Sequence, residues 1–117
     1  MAKKILIVDD DANIVEYLKD IFEDNGYATC VAMDGSKASE MLEKESPDLI
    51  TLDLEMPEEW GPRFYRKMSQ MDAYKNLPVV VISGLPAPQY AIKKAVACLN
   101  KPFEKDELLK VVKDAIG

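Results

Sequence analysis

The sequence predicts an α/β fold in which a parallel sheet carries helices on both faces. Three observations lead there. Apolar runs of strand length recur, among them Ile5–Val8, Leu49–Leu52 and Val79–Ile82; such runs suit strands buried on both faces. Segments with helical period lie between them. The chain has 117 residues, 48% hydrophobic and 31% charged, a length and balance that support one buried core and leave no room for a second domain. Residues 1–117 are therefore expected to form a single domain.

The elements follow in order. Lys4–Val8 is the first strand. Ala12–Asp24 places Ile14, Leu18, Ile21 and Phe22 on one helical face, with Asp10 or Asp11 as cap and Asn25-Gly26 as stop. Tyr27–Met33 is the second strand. Asp34-Gly35 turns into a helix over Ser36–Lys44, carrying Ala38, Met41 and Leu42 inward, and Pro47 closes that region. Asp48–Leu54 is the third strand. After the loop Glu55–Gly61, Pro62 suits the first turn of a helix reaching about Met71, with Phe64 and Met68 inward. Leu77–Ile82 is the fourth strand, Gln89–Val96 a short helix, Ala97–Leu99 the fifth strand and Phe103–Ile116 the last helix. That makes five βα units without an internal repeat.

Charge and composition exclude several functions. Lys plus Arg total 15 against 21 for Asp plus Glu, a net charge of −6; such a surface repels phosphate backbones and anionic lipid. No histidine is present, which removes the commonest general base and zinc ligand. Cys30 and Cys98 have no C-x-x-C spacing, so neither a zinc site nor a disulfide framework is indicated, and both read as buried strand residues in a reducing compartment. The apolar run after Lys3-Lys4 ends after four residues at three aspartates, too short for a signal peptide or a membrane span. A cytoplasmic setting is expected, with no membrane and no direct nucleic-acid partner.

In open parallel sheets the ligand site lies at the carboxyl ends of the strands. Those ends carry Asp9-Asp10 after strand one, Asp53 after strand three, Ser83 after strand four and Lys101 after strand five. Three carboxylates, a hydroxyl and an ammonium thus converge. The carboxylates repel one another unless cations join them. Lys101 offsets one charge; a hard divalent ion, Mg2+ with Mn2+ as alternative, suits the rest. An aspartate can carry a phosphoryl group as an acyl phosphate. In that scheme Asp53 is the nucleophile, Asp10 and Asp9 hold the cation, Lys101 pairs with phosphoryl oxygens and Ser83 hydrogen-bonds the attached group.

The stretches KILIVDDD, LITLDLEMP, VVVISG and LNKPF, in this order and all at strand ends, resemble the signature segments of the receiver domain of bacterial two-component response regulators. The likeness runs from Lys4 into the final helix. It implies a flavodoxin-like, three-layer (βα)5 sandwich with strand order 2-1-3-4-5. It also implies Mg2+-dependent phosphorylation of Asp53, and a sensor histidine kinase or histidine phosphotransfer protein as donor. The resemblance places the main-chain carbonyl of Glu55 among the metal ligands, beside Asp9, Asp10 and Asp53. It implies a cis peptide bond between Lys101 and Pro102, and a switch formed by Ser83 with the residue at position 98. A monomer or weak dimer is expected, and self-modification rather than turnover of an external substrate, so not an enzyme in the ordinary sense.

Two features depart from that family. Cys98 stands where an aromatic lever is usual. Only 18 residues separate Ser83 from Lys101 (101 − 83), opening with Leu85-Pro86-Ala87-Pro88, so the fourth of the five predicted helices is expected to be short or irregular. These departures keep a second reading open, a phosphorylation-independent pseudo-receiver acting as a protein-interaction module. A third, a flavin-binding or phosphatase domain, is disfavoured by Asp9-Asp10-Asp11 at the first loop and by Glu55 where a phosphatase would need a second aspartate. Plainer readings hold for other residues: Asp11 as a helix cap, Glu55, Glu58 and Glu59 side chains as solvated charges, and Trp60 as a loop aromatic over apolar surface.

Overall fold

The computed structural model describes residues 2–53, 60–83, 97–100 and 103–117, with the backbone alone at 60–62, 98 and 100. Its five strands are β1 (Lys4–Val8), β2 (Ala28–Ala32), β3 (Leu49–Leu52), β4 (Val79–Ser83) and β5 (Ala97–Asn100). They form one parallel sheet in the order β2-β1-β3-β4-β5. The described helices are α1 (Ala12–Asp24), α2 (Gly35–Glu45), α3 (Trp60–Ser69) and α4 (Lys105–Ile116). This is the flavodoxin-like order anticipated above. The short helix expected over residues 89–96 lies outside the described residues, as do Glu55, Lys101 and Pro102.

Strand alternation explains the three layers. On β1, Leu6 and Val8 join Ala38, Leu42, Phe64 and Met68 in the core under α2 and α3. Ile5 and Ile7 face the other way, joining Leu18, Phe22, Leu108 and Val112 under α1 and α4. All four aliphatic β1 residues are at most 1% exposed, and each such burial is worth roughly 1.5–3 kcal/mol. The unbroken apolar run of β1 is therefore required by its place between two cores.

The helices are set by local chemistry. Asp11 caps α1, its carboxylate accepting from the N–H groups of Asn13 at 2.9 Å and Ile14 at 3.4 Å. Along α1 it is Val15, with Leu18, Ile21 and Phe22, that is buried. Ile14, expected inward, is only half-buried; the helix is rotated so that the stripe centres one residue later. Asn25 ends α1 and Gly26 follows at φ 89°, a left-handed turn that a side chain would strain. Asp34 caps α2 through a 2.8 Å bond from the N–H of Lys37.

The helix α3 begins at Trp60 and so takes in Gly61 and Pro62, two residues ahead of the expected start. Proline in a first turn forfeits no helical hydrogen bond. After Ser69 the chain tightens into i→i−3 bonds, Gln70 to Lys67 at 3.3 Å and Met71 to Met68 at 3.0 Å, which ends α3 before Met71. The last helix starts at Lys105 rather than Phe103. Glu104 is its extended cap residue, and Asp106 and Glu107 in the first turn complement the helix dipole. Among the described residues no helix is long and apolar enough to cross a membrane.

At the end of the sheet away from the strand carboxyl termini, Lys4 is tied down three times. Its N–H donates to Asp48 at 2.8 Å, its Nζ to Glu45 at 3.0 Å, and its carbonyl accepts from the N–H of Asp48 at 2.7 Å. The α2–β3 junction is thereby fixed against the start of β1.

Candidate functional site

Central strands β1 and β3 are neighbours in register, Val8 pairing with Leu52. The next residues of the two strands are Asp9 and Asp53. Main-chain bonds hold both: the Asp53 N–H donates to the Val8 carbonyl at 2.9 Å, and the Asp9 N–H to the Ala32 carbonyl at 3.2 Å. Both aspartates are 2% exposed, whereas Asp10 faces solvent. Asp9, Asp10 and Asp53 each offer a carboxylate oxygen within 4.8 Å of the other two. The convergence predicted from the strand ends is thus present for these three.

The Asp9 carboxylate also accepts from the Asp11 N–H at 2.9 Å, which fixes its orientation at the entrance to α1. Ser83 closes β4, is fully buried and pairs in register with Asn100 of β5. Cys98 lies in β5 opposite Val81; its side chain, with Lys101, Pro102 and Glu55, falls outside the described residues. Cys30, expected as a buried strand residue, is one. It sits in β2 with its thiol 3.9 Å from the Ile5 carbonyl, and burial, reinforced by the Glu45 carboxylate and opposed by Lys4, pushes its pKa up to about 11. It is an inert thiol.

Carboxylates this close carry a cost. Two unit charges about 5 Å apart repel by roughly 3 kcal/mol at an effective dielectric of about 20. An all-oxygen donor set of three carboxylates, two of them buried, fits a small hard divalent cation and suits neither a thiophilic nor an imidazole-seeking metal. Beneath the cluster lies a feature the sequence reading passed over. Thr51, two residues before Asp53 in β3, is 1% exposed, and among the described residues its hydroxyl has no hydrogen-bond partner. A lone hydroxyl in the otherwise apolar run Leu49–Leu52 was the available signal.

The response regulator receiver domain model matches residues 5–113. The chain belongs to the response regulator receiver domain family. It is 36% identical over 117 residues to Protein Rrf1 of Nitratidesulfovibrio vulgaris, covering all of this chain and 85% of that one. It is 33% identical over 123 residues to the chemotaxis protein CheY of Bacillus subtilis, covering the whole of both. Among solved structures it is similar to the chemotaxis response regulator CheY4 of Vibrio cholerae, with a TM-score of 0.90, 28% identity, and coverage of 99% of this chain and 100% of that one. Receiver domains are signalling switches of two-component systems rather than metabolic enzymes, and the acidic pocket of the family binds Mg2+. Asp9, Asp10 and Asp53 form an acidic cluster whose carboxylate oxygens lie close enough together to hold a metal ion.

Proposed function

We propose that this receiver is a phosphorylation-controlled switch whose phosphoacceptor is Asp53. The observation that carries the reading is the convergence of the Asp9, Asp10 and Asp53 carboxylates at the ends of adjacent central strands. Asp53 is taken as the nucleophile because it stands at the end of β3, where the receiver family's phosphoacceptor falls, with its main chain locked to β1 and its carboxylate in the cluster. A bond forms between an Asp53 oxygen and phosphorus as the bond from phosphorus to the donor nitrogen breaks, and the electron pair returns to that nitrogen. The donor is a phosphohistidine on a sensor kinase or phosphotransfer protein. No histidine exists on this chain to compete for the role.

Asp10 and Asp53, with Asp9 and the carbonyl of Glu55, would hold Mg2+ or Mn2+, and the ion when bound supplies positive charge to the transferring phosphoryl group. Asp9 orients the pocket from its bond to the Asp11 N–H. Ser83 at the end of β4 receives a phosphoryl oxygen, and Lys101 pairs with another. The peptide bond to Pro102 in the cis form would aim Lys101 inward. We assign residues 1–117 to one receiver domain acting in the cytoplasm, as a monomer or weak dimer, through protein partners.

Incubation with Mg2+ and a small phosphodonor, followed by intact-mass measurement, tests this. One phosphoryl group should add to wild type and none to Asp53→Asn. No gain for wild type, under conditions that modify a control receiver, would assign the chain to the phosphorylation-independent class, for which Cys98 at the switch position is the present argument.

A further inference from the structure

We propose that the groove between α2 and α3 is a docking surface for an acidic, partly apolar segment of a partner protein. The charge distribution points to it. The chain holds two arginines in all, Arg63 and Arg66, and both lie on α3. With Lys67 they make three cations within ten residues that contain no acid, in a protein of net charge −6. The acids Glu58 and Glu59 stand just ahead of the helix in the sequence, so the positive charge is confined to α3 itself.

Arg63 and Lys67, one turn apart, line a surface cleft of about 370 Å3 together with Ser36 and Ser39 of α2 and the ring of Phe64. Among the described residues no carboxylate lines this cleft. Among the described residues neither Arg63 nor Lys67 has an ion-pair partner; the ion pairs present use Lys4, Lys37 and Lys75. Both side chains are exposed. Two cations face the cleft beside two hydroxyls, which can donate or accept. Arginine in particular matches a carboxylate with two parallel bonds.

The cleft continues into a smaller apolar notch of about 50 Å3 floored by Leu42, Met68 and Met71. Ser39, Phe64 and Lys67 border both cavities, so the two form one groove. Glu43 stands at the notch end and would repel a second carboxylate there. The groove thus has polarity. Its occupant presents carboxylates to Arg63 and Lys67 and an apolar side chain to the notch. A bare anion would use only the first half. None of its lining residues belongs to the acid cluster.

The test is a titration of the full chain, labelled with 15N, with a synthetic peptide of alternating glutamate and leucine, read by amide chemical shifts. Shift changes should concentrate at residues 35–43 and 63–71. Raising NaCl from about 0.05 to about 0.3 M should weaken binding through screening. Arg63→Glu with Lys67→Glu should weaken it by roughly tenfold or more, the scale expected for opposing charge-assisted bonds. Because a double reversal could disturb α3, Arg63→Gln with Lys67→Gln serves beside it and should also weaken binding with an unchanged thermal melt. The proposal is overturned by shifts confined to another face. It is overturned equally if a glutamine–leucine peptide binds as well, if the Gln pair leaves affinity unchanged, or if inorganic phosphate alone reproduces the same pattern.

Discussion

The main-chain N–H of Asp11 donates to the Asp9 carboxylate at 2.9 Å, while the Asp11 carboxylate caps α1 through Asn13 and Ile14. Adjacent acids therefore divide the work. Asp9 belongs to the pocket, and Asp11 belongs to the helix. Asp11→Ala should destabilise the fold by about 1 kcal/mol, the usual cost of a lost side-chain cap. Its main chain still serves Asp9, so divalent-cation affinity should change by no more than a few-fold. Denaturant melts with and without Mg2+ check both halves.

Removing one member of the acid cluster should have the opposite sign. Asp53→Asn relieves like-charge repulsion among three carboxylates within 4.8 Å, and the melting temperature in chelator should rise. Added Mg2+ should raise the wild-type melting temperature and should raise that of Asp53→Asn much less, since a ligand that binds only the native state stabilises it by mass action. A clear drop in stability for the variant in chelator would contradict the clustered arrangement.

Thr51 offers a stabilising substitution. Among the described residues its hydroxyl is buried without a partner, and such a group costs about 1–3 kcal/mol. Thr51→Val keeps the shape and removes the polar atom. It should gain about 1 kcal/mol in a urea melt, and a loss of stability would indicate that the hydroxyl has a partner when the protein is in water.

The Cys30 thiol is pushed from the ordinary 9.0 up to about 11, with burial the main cause. The native state therefore keeps its proton at pH values where the unfolded chain has released it. By linkage this contribution to stability is fully present below about pH 9 and is lost as pH rises from there through about 11. In a Cys98→Ser background, alkylation of the remaining thiol at mildly alkaline pH should be slow and should accelerate only when the protein unfolds. Rapid labelling of native protein would refute the burial of Cys30.

Much of this was legible before any coordinates. Runs such as Ile5–Val8 and Val79–Ile82 have no polar face, which restricts them to a sheet covered on both sides. Asp9, Asp10 and Asp53 could be placed together because parallel strands present their ends to one side. Other features depend on geometry that a sequence does not carry. Ile14 and Val15 both satisfy a helical stripe, and the packing of α1 on the sheet chooses Val15. Trp60 joins α3 because a first turn tolerates Gly61-Pro62, a choice that residue preference leaves undecided. The basic groove was missed because Arg63 and Lys67 come to line one cleft with Ser36 and Ser39 only when α2 and α3 lie side by side.

The pairing of Val8 with Leu52 has a consequence for folding fidelity. Side chains alternate along a strand, so a slip of β3 by one residue against β1 would send Asp53 to the opposite face of the sheet from Asp9. Such a misaligned chain could bury nearly as many aliphatic groups, because Leu49 faces one core and Ile50 and Leu52 the other, and either core accepts an aliphatic side chain. It would lack the three-carboxylate cluster. If the cluster holds a cation as proposed, its affinity would read out the alignment of β1 with β3.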